Sequence, residues 1–351
     1  MNKRFIKRID NLPHNVFDEI RIIDDFKSKW TSGAKLDPQI LGQLKKSVLV
    51  TSTGASTRIE GAHLSDEDVE RLMRGISIQK FRDRDKQEAR GYYELLTNVF
   101  EGYQSIPFSE STIKFFHREL LKHSEKDTTH RGEYKKKENK VQMINEREES
   151  IGILFDTTPA YLTPKAMQEL VEWTQLSFTD KSAHPLLIVA NFIVEFLSIH
   201  PFEDGNGRLS RVLTNLLLLQ QGYVYMPYIS HEKLIEDHKA EYYLALRQSQ
   251  KTFGQKEENI TPWTTFFFST FKEQSRQAVE LLSREQTDRL LSKQQQLVWQ
   301  HIEKTKEVTP LEITKATGVP RPTVNQALTK LLKLKRIERL GVGRGTRYRK
   351  I

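Results

Sequence analysis

The chain contains no cysteine among its 351 residues. Disulfides, thiolate metal sites and cysteine nucleophiles are therefore excluded, and the composition suits a reducing compartment. The longest uninterrupted apolar run, Leu186 to Ala190, is too short to cross a bilayer. The N-terminal residues also lack the apolar stretch of a secretory signal. We therefore expect a soluble, cytoplasmic protein with no membrane partner.

A net excess of charge is nearly absent from most of the chain and is concentrated at its C-terminal end. The formal net charge is +9, yet residues 291–351 hold 14 Lys and Arg against 4 Asp and Glu, a net charge of +10. The preceding 290 residues therefore carry a net charge of −1. A basic segment set apart in this way indicates a polyanionic partner for that segment alone.

Helical periodicity dominates the sequence, and prolines mark several helix starts. Pro164, Pro185, Pro262 and Pro310 each stand at the head of an amphipathic or apolar stretch. The stretch from Leu186 to Ile199 is apolar almost all round, which is typical of a helix buried in the centre of a bundle. We predict a mainly α fold.

One segment, Tyr134 to Pro164, breaks the helical pattern with β-branched, charged and Gly- or Pro-containing pieces. Within it, Lys140–Ile144 and Ile151–Phe155 are predicted to pair as a short hairpin.

The densest chemistry lies directly after the apolar helix, at His200-Pro201-Phe202-Glu203-Asp204-Gly205-Asn206-Gly207-Arg208-Leu209-Ser210-Arg211. A new helix is predicted to begin near Gly205, and its N-terminal N–H groups suit phosphate oxygens. Arg208 and Arg211 lie on one face of its first turns and add guanidinium donors. Asp204 can hold Mg²⁺ through one carboxylate, and His200 is placed to act as a general base. The chain has no G-x-x-x-x-G-K-S/T loop, so a Walker-type ATPase is not favoured.

This segment resembles the signature of the Fic (filamentation induced by cAMP) family, H-P-F-x-D/E-G-N-G-R-x-x-R, and matches every specified position. We place the resemblance at about Lys35 to Leu290. It implies a helical bundle core with a short β-hairpin flap that aligns a target segment by strand pairing. It further implies a protein adenylyltransferase that moves AMP from Mg-bound ATP to a Tyr, Thr or Ser hydroxyl and releases pyrophosphate.

The resemblance also assigns roles to individual residues. It implies His200 as the catalytic base, Asp204 as the Mg²⁺ ligand and Arg211 as the group that reaches the γ-phosphate. The loop and first helical turn would bind ATP, with backbone and amide donors at the first three of these positions: Gly205, Asn206, Gly207, Arg208, Leu209, Ser210 and Arg211. On the adenine side the family commonly has a Tyr pair, matched by Tyr242 and Tyr243, with Asp237 nearby as a further possibility. Gln250 stands where the family often has Asn, so the purine contact differs.

An upstream stretch, Ser56-Thr57-Arg58-Ile59-Glu60-Gly61, matches the family's inhibitory pattern S/T-x-x-x-E-G/N. The resemblance implies that Glu60 pairs with Arg211 and occupies the guanidinium that the γ-phosphate needs. Two other interpretations stay open. Glu60 is either a surface residue before a capping glycine, or a group that orients water for the removal of AMP.

The basic C-terminal segment reads as three helices followed by a hairpin: Gln294–Glu303, Pro310–Thr317, a helix around Val324 to Leu332, and strands at Arg336–Leu340 and Thr346–Arg349. This order resembles a winged helix-turn-helix. Several polar residues fall off the apolar face of the third helix or in the wing and are expected to contact duplex DNA: Arg321, Thr323, Asn325, Gln326, Lys330, Arg344, Arg347 and Arg349. Winged helices also serve as protein-docking or dimerisation modules, so a homodimer stays open.

We therefore predict three regions: residues 1–105 with the inhibitory motif at 56–61, a catalytic core at 106–290, and a winged helix-turn-helix at 291–351. The predicted function is protein adenylylation of a target or of the chain itself, with Mg²⁺ as cofactor and ATP as substrate. Alternatives are transfer of UMP or phosphocholine by the same site, and a DNA-binding regulator whose core senses nucleotide.

Overall fold

A computed structural model describes residues 3–33, 36–76, 83–144, 150–334, 336–341 and 345–351. Helices make up most of it, as the periodicity predicts. They occur along the chain as follows: α1 (Lys3–Asp10), α2 (His14–Ser32), α3 (Pro38–Ile59), α4 (Asp66–Met73), α5 (Asp83–Gly102), α6 (Glu110–Leu120), α7 (Thr163–Asp180), α8 (Pro185–Ile199), α9 (Asn206–Gln220), α10 (His231–Asp237), α11 (Lys239–Gln250), α12 (Thr261–Leu290), α13 (Lys293–Glu303), α14 (Pro310–Thr317) and α15 (Arg321–Lys333). None of these described helices is both long enough and apolar enough to cross a bilayer.

Local capping explains why many of these helices begin where they do. Prolines occupy the first or second position of α7, α8 and α14, where a missing N–H costs little. Ser65 and Asp68 form a reciprocal capping box at the start of α4. The helix starts predicted from Pro164, Pro185 and Pro310 are confirmed.

The residues divide into two compact units, one of Met1–Ser32 and Asp37–Ala278, the other of Gly33–Leu36 and Val279–Ile351. Helix α8 forms the centre of the first unit, since every residue from Leu186 to Leu197 is buried. It packs against α7 on one side and α9 on another. A central helix of this kind is expected to be apolar all round, and the sequence pattern correctly indicated it.

The hairpin departs from the helical rule at the place predicted. Strands β1 (Lys140–Ile144) and β2 (Ser150–Asp156) pair antiparallel, with Lys140 opposite Asp156 and Ile144 opposite Ser150. Its base is closed by Thr157, whose hydroxyl donates to the Asn139 carbonyl at 2.8 Å. The hairpin therefore emerges from a fixed base just ahead of α7.

In the second unit, helices α13, α14 and α15 enclose a separate small core. That core includes Val298 and Ile302 of α13, Ile313 of α14, and Leu328 and Leu331 of α15. Strands β3 (Ile337–Leu340) and β4 (Arg347–Lys350) pair antiparallel beside it. The three helices and two strands follow the order predicted from the sequence.

Candidate active site

His200 ends the buried helix α8 in a left-handed conformation, with φ of 51°. Its N–H donates to the Phe196 carbonyl at 2.9 Å, which completes the helix end. The ring Nδ1 lies 3.4 Å from the Leu197 carbonyl, an arrangement that favours the proton on Nδ1 and leaves Nε2 as the basic atom. Burial, and next the positive charge of Lys135, lower the pKa of His200 to about 4. The imidazole is therefore neutral at physiological pH and able to accept a proton.

The loop after His200 is shaped by Asn206. Its side-chain oxygen accepts from the Phe202 N–H at 3.0 Å, and its amide donates to the Phe202 carbonyl at 2.8 Å. These two bonds close the loop, and the amide nitrogen has a second N–H, so its expected role as a phosphate donor stays a prediction. Gly205 adopts φ of 78° as the N-cap of α9, a conformation that glycine reaches without strain. The loop between the end of α8 and the start of α9 is therefore closed by its own hydrogen bonds.

Asp204 is a carboxylate held between positive groups. Its Oδ2 lies 3.2 Å from Arg208 Nη2 and 3.4 Å from Arg84 Nη2, while Oδ1 accepts from the Gly205 N–H at 2.6 Å. Burial alone would raise its pKa, but the guanidinium groups and this hydrogen bond hold the pKa below its ordinary value. The side chain is 37% exposed, so an ion can reach it.

The donor set suits Mg²⁺ better than a metal held by protein alone. In the part of the chain that the structure describes, no group of three or more His, Asp and Glu side chains could hold a metal ion. Mg²⁺ commonly binds through one carboxylate together with substrate phosphates and water. A single ionised and accessible Asp204 beside a helix N-terminus fits that mode.

Arg208 and Arg211 are almost completely buried, and a different acid pairs with each. Arg208 Nη1 lies 2.9 Å from Glu88 of α5, which fixes the guanidinium under the loop. Arg211 donates from Nε to the Ser56 hydroxyl at 2.8 Å and from Nη2 to the Ser56 carbonyl at 2.9 Å. The Glu60 carboxylate accepts from the same Nη2 at 2.8 Å. The structure therefore brings Ser56, Glu60 and Arg211 together, as the sequence resemblance implied.

One donor of Arg211 is left over. Its Nη1 is buried and has no hydrogen-bond partner among the described residues. A buried donor without a partner costs about 1–3 kcal/mol, so an acceptor that reaches it would bind favourably. An anion at the start of α9 is the acceptor that the surroundings suit.

Glu60 lies directly after α3 and is about one-third exposed. Its carboxylate rests against Gly207, where an added Cβ would lie well inside contact distance of Oε1. The end of α3 is bonded to α10 and α11. Arg58 makes a bidentate pair with Glu236 of α10 at 2.5 and 3.0 Å, and the Tyr243 hydroxyl of α11 donates to the Ile59 carbonyl at 3.3 Å. These contacts hold the carboxylate over the loop.

The remaining predicted ligands lie at different depths. Leu209 belongs to the hydrophobic core, and the Ser210 hydroxyl donates to the Gly207 carbonyl at 2.8 Å, so both side chains serve α9 itself. Tyr242 is buried against the rings of Trp263 and Phe266 at 5.9 and 5.7 Å. Asp237 pairs with Lys233 on an exposed face.

Gln250 does not face the site at all. Its side chain is buried, and its amide donates to the Val194 carbonyl at 3.4 Å.

Sequence reasoning missed several side chains that shape the site. His117 stacks on Phe202, with ring centroids 3.8 Å apart, and its Nε2 lies 3.0 Å from the Asp204 carbonyl. Lys135 places its ammonium beneath the loop, 3.0 Å from the Ile199 carbonyl. Like Glu88 and Arg84, these residues come from segments far away in sequence, so no local spacing could reveal them.

In the second unit, α15 separates its residues as predicted. Val324 and Leu328 are buried, whereas Arg321, Asn325 and Gln326 are exposed and Thr323 and Lys330 half-buried. Arg347 lies 3.6 Å from Glu307, and Arg349 pairs with Glu338. Arg344 lies outside the described residues.

A buried helix delivering His200 to a loop with one carboxylate, a glycine-capped helix start and two buried arginines defines a site for phosphate chemistry on a helical scaffold. Comparison with known proteins agrees: residues 107–218 match the Fic/DOC family. The matched segment contains His200 and the whole loop through Arg211.

Individual relatives resemble the chain at modest identity. It is 27% identical over 189 residues to a probable protein adenylyltransferase of Aquifex aeolicus (strain VF5), covering 52% of each chain. The chain spans about half the length of the curated relatives it matches first.

Solved structures share the fold. A Fic domain containing signaling protein from Bacteroides thetaiotaomicron superposes with a TM-score of 0.62 at 25% identity, covering 75% of this chain and 97% of that one. A Fic family protein from Desulfovibrio desulfuricans G20 gives a TM-score of 0.63 at 23% identity, covering 97% of both chains. These findings support a Fic domain in the central part of the chain.

Proposed function

We propose that the chain is a protein adenylyltransferase that transfers AMP from Mg-bound ATP to a hydroxyl of a target protein or of itself. The observation that carries this proposal is the arrangement along residues 200–211. A neutral His200, an ionised Asp204 and a buried Arg211 with an unpaired donor all come from one short loop and the helix start that follows it.

The chemistry assigned to the residues follows from their positions. His200 Nε2 accepts the proton as the hydroxyl oxygen attacks the α-phosphorus. The bond from that phosphorus to the bridging oxygen breaks, and pyrophosphate leaves with the electron pair. The first N–H groups of α9 and the free Nη1 of Arg211 balance negative charge on the phosphates. Bound through Asp204, Mg²⁺ would supply further neutralisation of phosphate charge.

We further propose that Glu60 inhibits this reaction. Its carboxylate already neutralises Arg211 and brings a negative charge to the place where phosphates must bind. Because Glu60 and the loop belong to one chain, the inhibition acts within a single molecule. A part in AMP removal would use the same residue.

The direct test is incubation of the purified chain with ATP labelled at the α-phosphate, comparing wild type, Glu60→Gly and Glu60→Gly with His200→Ala. Label should enter protein strongly in Glu60→Gly and vanish when His200 is also removed. No label in Glu60→Gly, either on the chain itself or in a cell extract, would contradict the proposal.

The identity of the transferred group needs its own measurement, because the described contacts suit phosphates more than any base. Excess unlabelled ATP, UTP and CDP-choline should be tested as competitors of the labelled reaction. Loss of label only with ATP supports adenylylation, and pre-labelled protein that loses AMP in the presence of Glu60 supports removal.

A second function is favoured for the C-terminal unit, namely duplex DNA binding. Its support is the net charge of +10 over residues 291–351, together with the exposed Arg321 and Asn325 on α15. In this proposal the unit is a winged helix, with α15 in the major groove. A docking or dimerisation module is the competing interpretation.

A further inference from the structure

Lys135 is a buried lysine outside the sequence motif. It is 3% exposed, and its ammonium donates to three oxygens: Asn139 Oδ1 at 2.7 Å, Thr157 Oγ1 at 2.8 Å and the Ile199 carbonyl at 3.0 Å. Its backbone N–H also donates to the Pro201 carbonyl at 2.8 Å. Three acceptors satisfy all three protons of an ammonium group, so the residue is held as a cation.

Asn139, which accepts from the Lys135 ammonium, donates to the same loop. Its amide donates to the Phe202 carbonyl at 2.9 Å and lies 3.4 Å from the His200 carbonyl. Each of the four successive carbonyls from Ile199 to Phe202 therefore accepts a hydrogen bond from Lys135 or Asn139, and the Phe202 carbonyl accepts a second one from Asn206.

Asn139 and Lys135 also contact the base of the hairpin, where Thr157 is their partner. Asn139 precedes β1 and Thr157 follows β2, and the Thr157 hydroxyl reaches both the carbonyl and the side-chain oxygen of Asn139. The ammonium of Lys135 thus joins both ends of the hairpin to the segment that carries His200.

We propose that Lys135 is a positioning residue that fixes the hairpin and His200 in one frame and keeps a positive charge next to the imidazole. The part concerning reaction rate rests on the function proposed above and on the target-aligning hairpin that the family resemblance implies. The part concerning charge and hairpin anchoring does not depend on it.

The electrostatic setting of His200 includes four groups. Burial and the positive charge of Lys135 disfavour the imidazolium, whereas the Leu197 carbonyl, Glu60 and Asp204 favour it. Burial likewise lowers the pKa of Lys135 to about 8, against a smaller opposing effect of Glu138. Removing the charge at position 135 should therefore raise the pKa of His200.

Three substitutions separate the possible roles. Lys135→Met removes charge and donors, Lys135→Gln keeps donors without charge, and Lys135→Arg keeps both. Lys136→Met is the matched control, since Lys136 is the next residue and is exposed. Each is made in the full chain and, for activity, in the Glu60→Gly background.

The first measurement is the pKa of His200 by NMR titration of the chain with labelled histidine, the resonance being assigned by its loss in His200→Ala. The pKa should rise in Lys135→Met and Lys135→Gln and stay low in Lys135→Arg and Lys136→Met. An unchanged pKa in both neutral variants overturns the charge role, whether or not the chain transfers AMP.

The second measurement is steady-state transfer. Lys135→Met should lower kcat by about 10–100-fold, because misplacement of a reacting group by about 1 Å can cost that much. KM for ATP should change little, since Lys135 contacts no phosphate-facing group, and Lys135→Arg should recover much of the rate. Equal kcat in Lys135→Met and Lys136→Met overturns the positioning role.

Thr157→Val provides a variant that leaves the charge in place. It should keep the pKa of His200 low yet speed amide hydrogen exchange in β1 and β2, because one anchor of the hairpin is lost. Unchanged exchange in Thr157→Val overturns the anchoring role even if Lys135→Met fails to fold. If wild type and Glu60→Gly transfer no AMP, the proposed function fails, while the titration and exchange results still decide the role of Lys135.

Discussion

Arg211 illustrates how one buried cation can serve two partners. Its Nε and Nη2 are committed to Ser56 and Glu60, while Nη1 has no hydrogen-bond partner among the described residues. A buried guanidinium needs an acid nearby, because an uncompensated buried charge is costly. Within the proposed function, Glu60 supplies that acid until phosphates replace it.

Replacing Glu60 should therefore increase activity rather than reduce it. Glu60→Gly is expected to raise AMP transfer at least about tenfold, because removal of a charge-assisted pair is worth roughly a few kcal/mol to a competing anion. Labelling rates at a fixed ATP concentration measure the effect. The double variant Glu60→Gly, Arg211→Ala should lose the gain, and a double variant as active as Glu60→Gly would remove Arg211 from the mechanism.

His200 should matter for the chemical step and little for binding. In the Glu60→Gly background, His200→Ala is expected to lower transfer by about 10²–10⁴-fold, the usual contribution of a general base. The dissociation constant of ATP, measured by calorimetry, should stay nearly unchanged because His200 lies outside the helix start that would bind phosphates. Near-normal labelling by this variant would contradict the assignment.

The pH dependence of transfer follows from the low pKa of His200. A base works in its unprotonated form, which predominates above its pKa of about 4. The acid limb of the kcat profile should therefore lie below about pH 5, instead of near the 6.5 of an unperturbed histidine. A limb centred at pH 6 to 7 would mean that another group, or a more exposed His200, controls the rate.

At the residue scale, spacing in the sequence predicted which residues lie close together wherever they are near neighbours in the chain. His200, Asp204 and Arg211 lie within one loop and helix start, so their proximity could be read directly. Lys135 and His117 could not be found in this way, because they reach the loop from other segments and their own neighbours form no motif. The part that the Asn206 side chain plays in closing the loop was not predicted, because its partner Phe202 is recognisable only once the loop is folded.

Helices carry the regulation proposed for this chain. The end of α3 is joined to α10 by the Arg58–Glu236 pair, and Arg58 also lies 3.0 Å from Asp66 at the start of α4. These partly exposed contacts hold the segment on which Glu60 lies. Position, and not only charge, therefore determines whether Glu60 meets Arg211.

Weakening the Arg58–Glu236 pair between α3 and α10 should activate the chain partially. Glu236→Gln is expected to raise AMP transfer a few-fold, since partly exposed pairs contribute about 0.2–1 kcal/mol. Glu241→Gln is the matched control, because Glu241 is exposed and its nearest ion contact within the described residues is His238 at 3.9 Å. Equal labelling by the two variants would exclude a role for the Arg58–Glu236 pair in inhibition.

Helix α1 is held by a buried ionic cluster. Arg8 is 1% exposed and pairs with Glu195 of α8 at 2.8 Å and with Glu258 at 2.5 Å. Arg8→Ala removes the buried cation from both carboxylates, although Arg4 still contacts them, so we expect a loss of about 3 kcal/mol in the free energy of unfolding. Urea denaturation measures it, and Arg21→Ala, in an exposed pair with Asp18, should change stability by less than about 0.5 kcal/mol.

At the element scale, helix starts were readable because caps are local. Pro185, Pro310 and Ser65 each act within one turn of their own helix, and the structure places helices there. The hairpin was predicted from its β-branched and apolar residues, although its pairing contains two irregularities that no residue pattern indicated.

Over the whole molecule, net charge is distributed unevenly: it is close to zero up to residue 290 and strongly positive after it. The C-terminal residues hold the entire positive excess, and their exposed members include Arg321 on α15. The sequence showed this division because net charge is additive. It could not show which acids neutralise the basic residues locally, such as Glu307 beside Arg347.

Duplex DNA binding should be strong only at low salt. The logarithm of the binding constant is expected to fall by about 0.9 per logarithmic unit of salt for each phosphate contacted. Arg321→Glu with Lys330→Glu should abolish the complex in mobility-shift assays, whereas Arg21→Glu with Lys29→Glu on α2 makes the same charge change elsewhere and should not. Absence of any complex with mixed-sequence duplexes would favour docking or dimerisation.

Gly207 and Glu60 lie in contact, but mutations at the two positions should have opposite effects on activity. Any side chain there would displace the Glu60 carboxylate, yet it would also fill the space at the helix start where we propose phosphates bind. Substitution at this glycine should therefore remove both the inhibitory contact of Glu60 and the proposed phosphate-binding site. Spontaneous mutants selected for runaway activity should therefore arise on the α3 side, at Ser56, Arg58 or Glu60, and never at position 207.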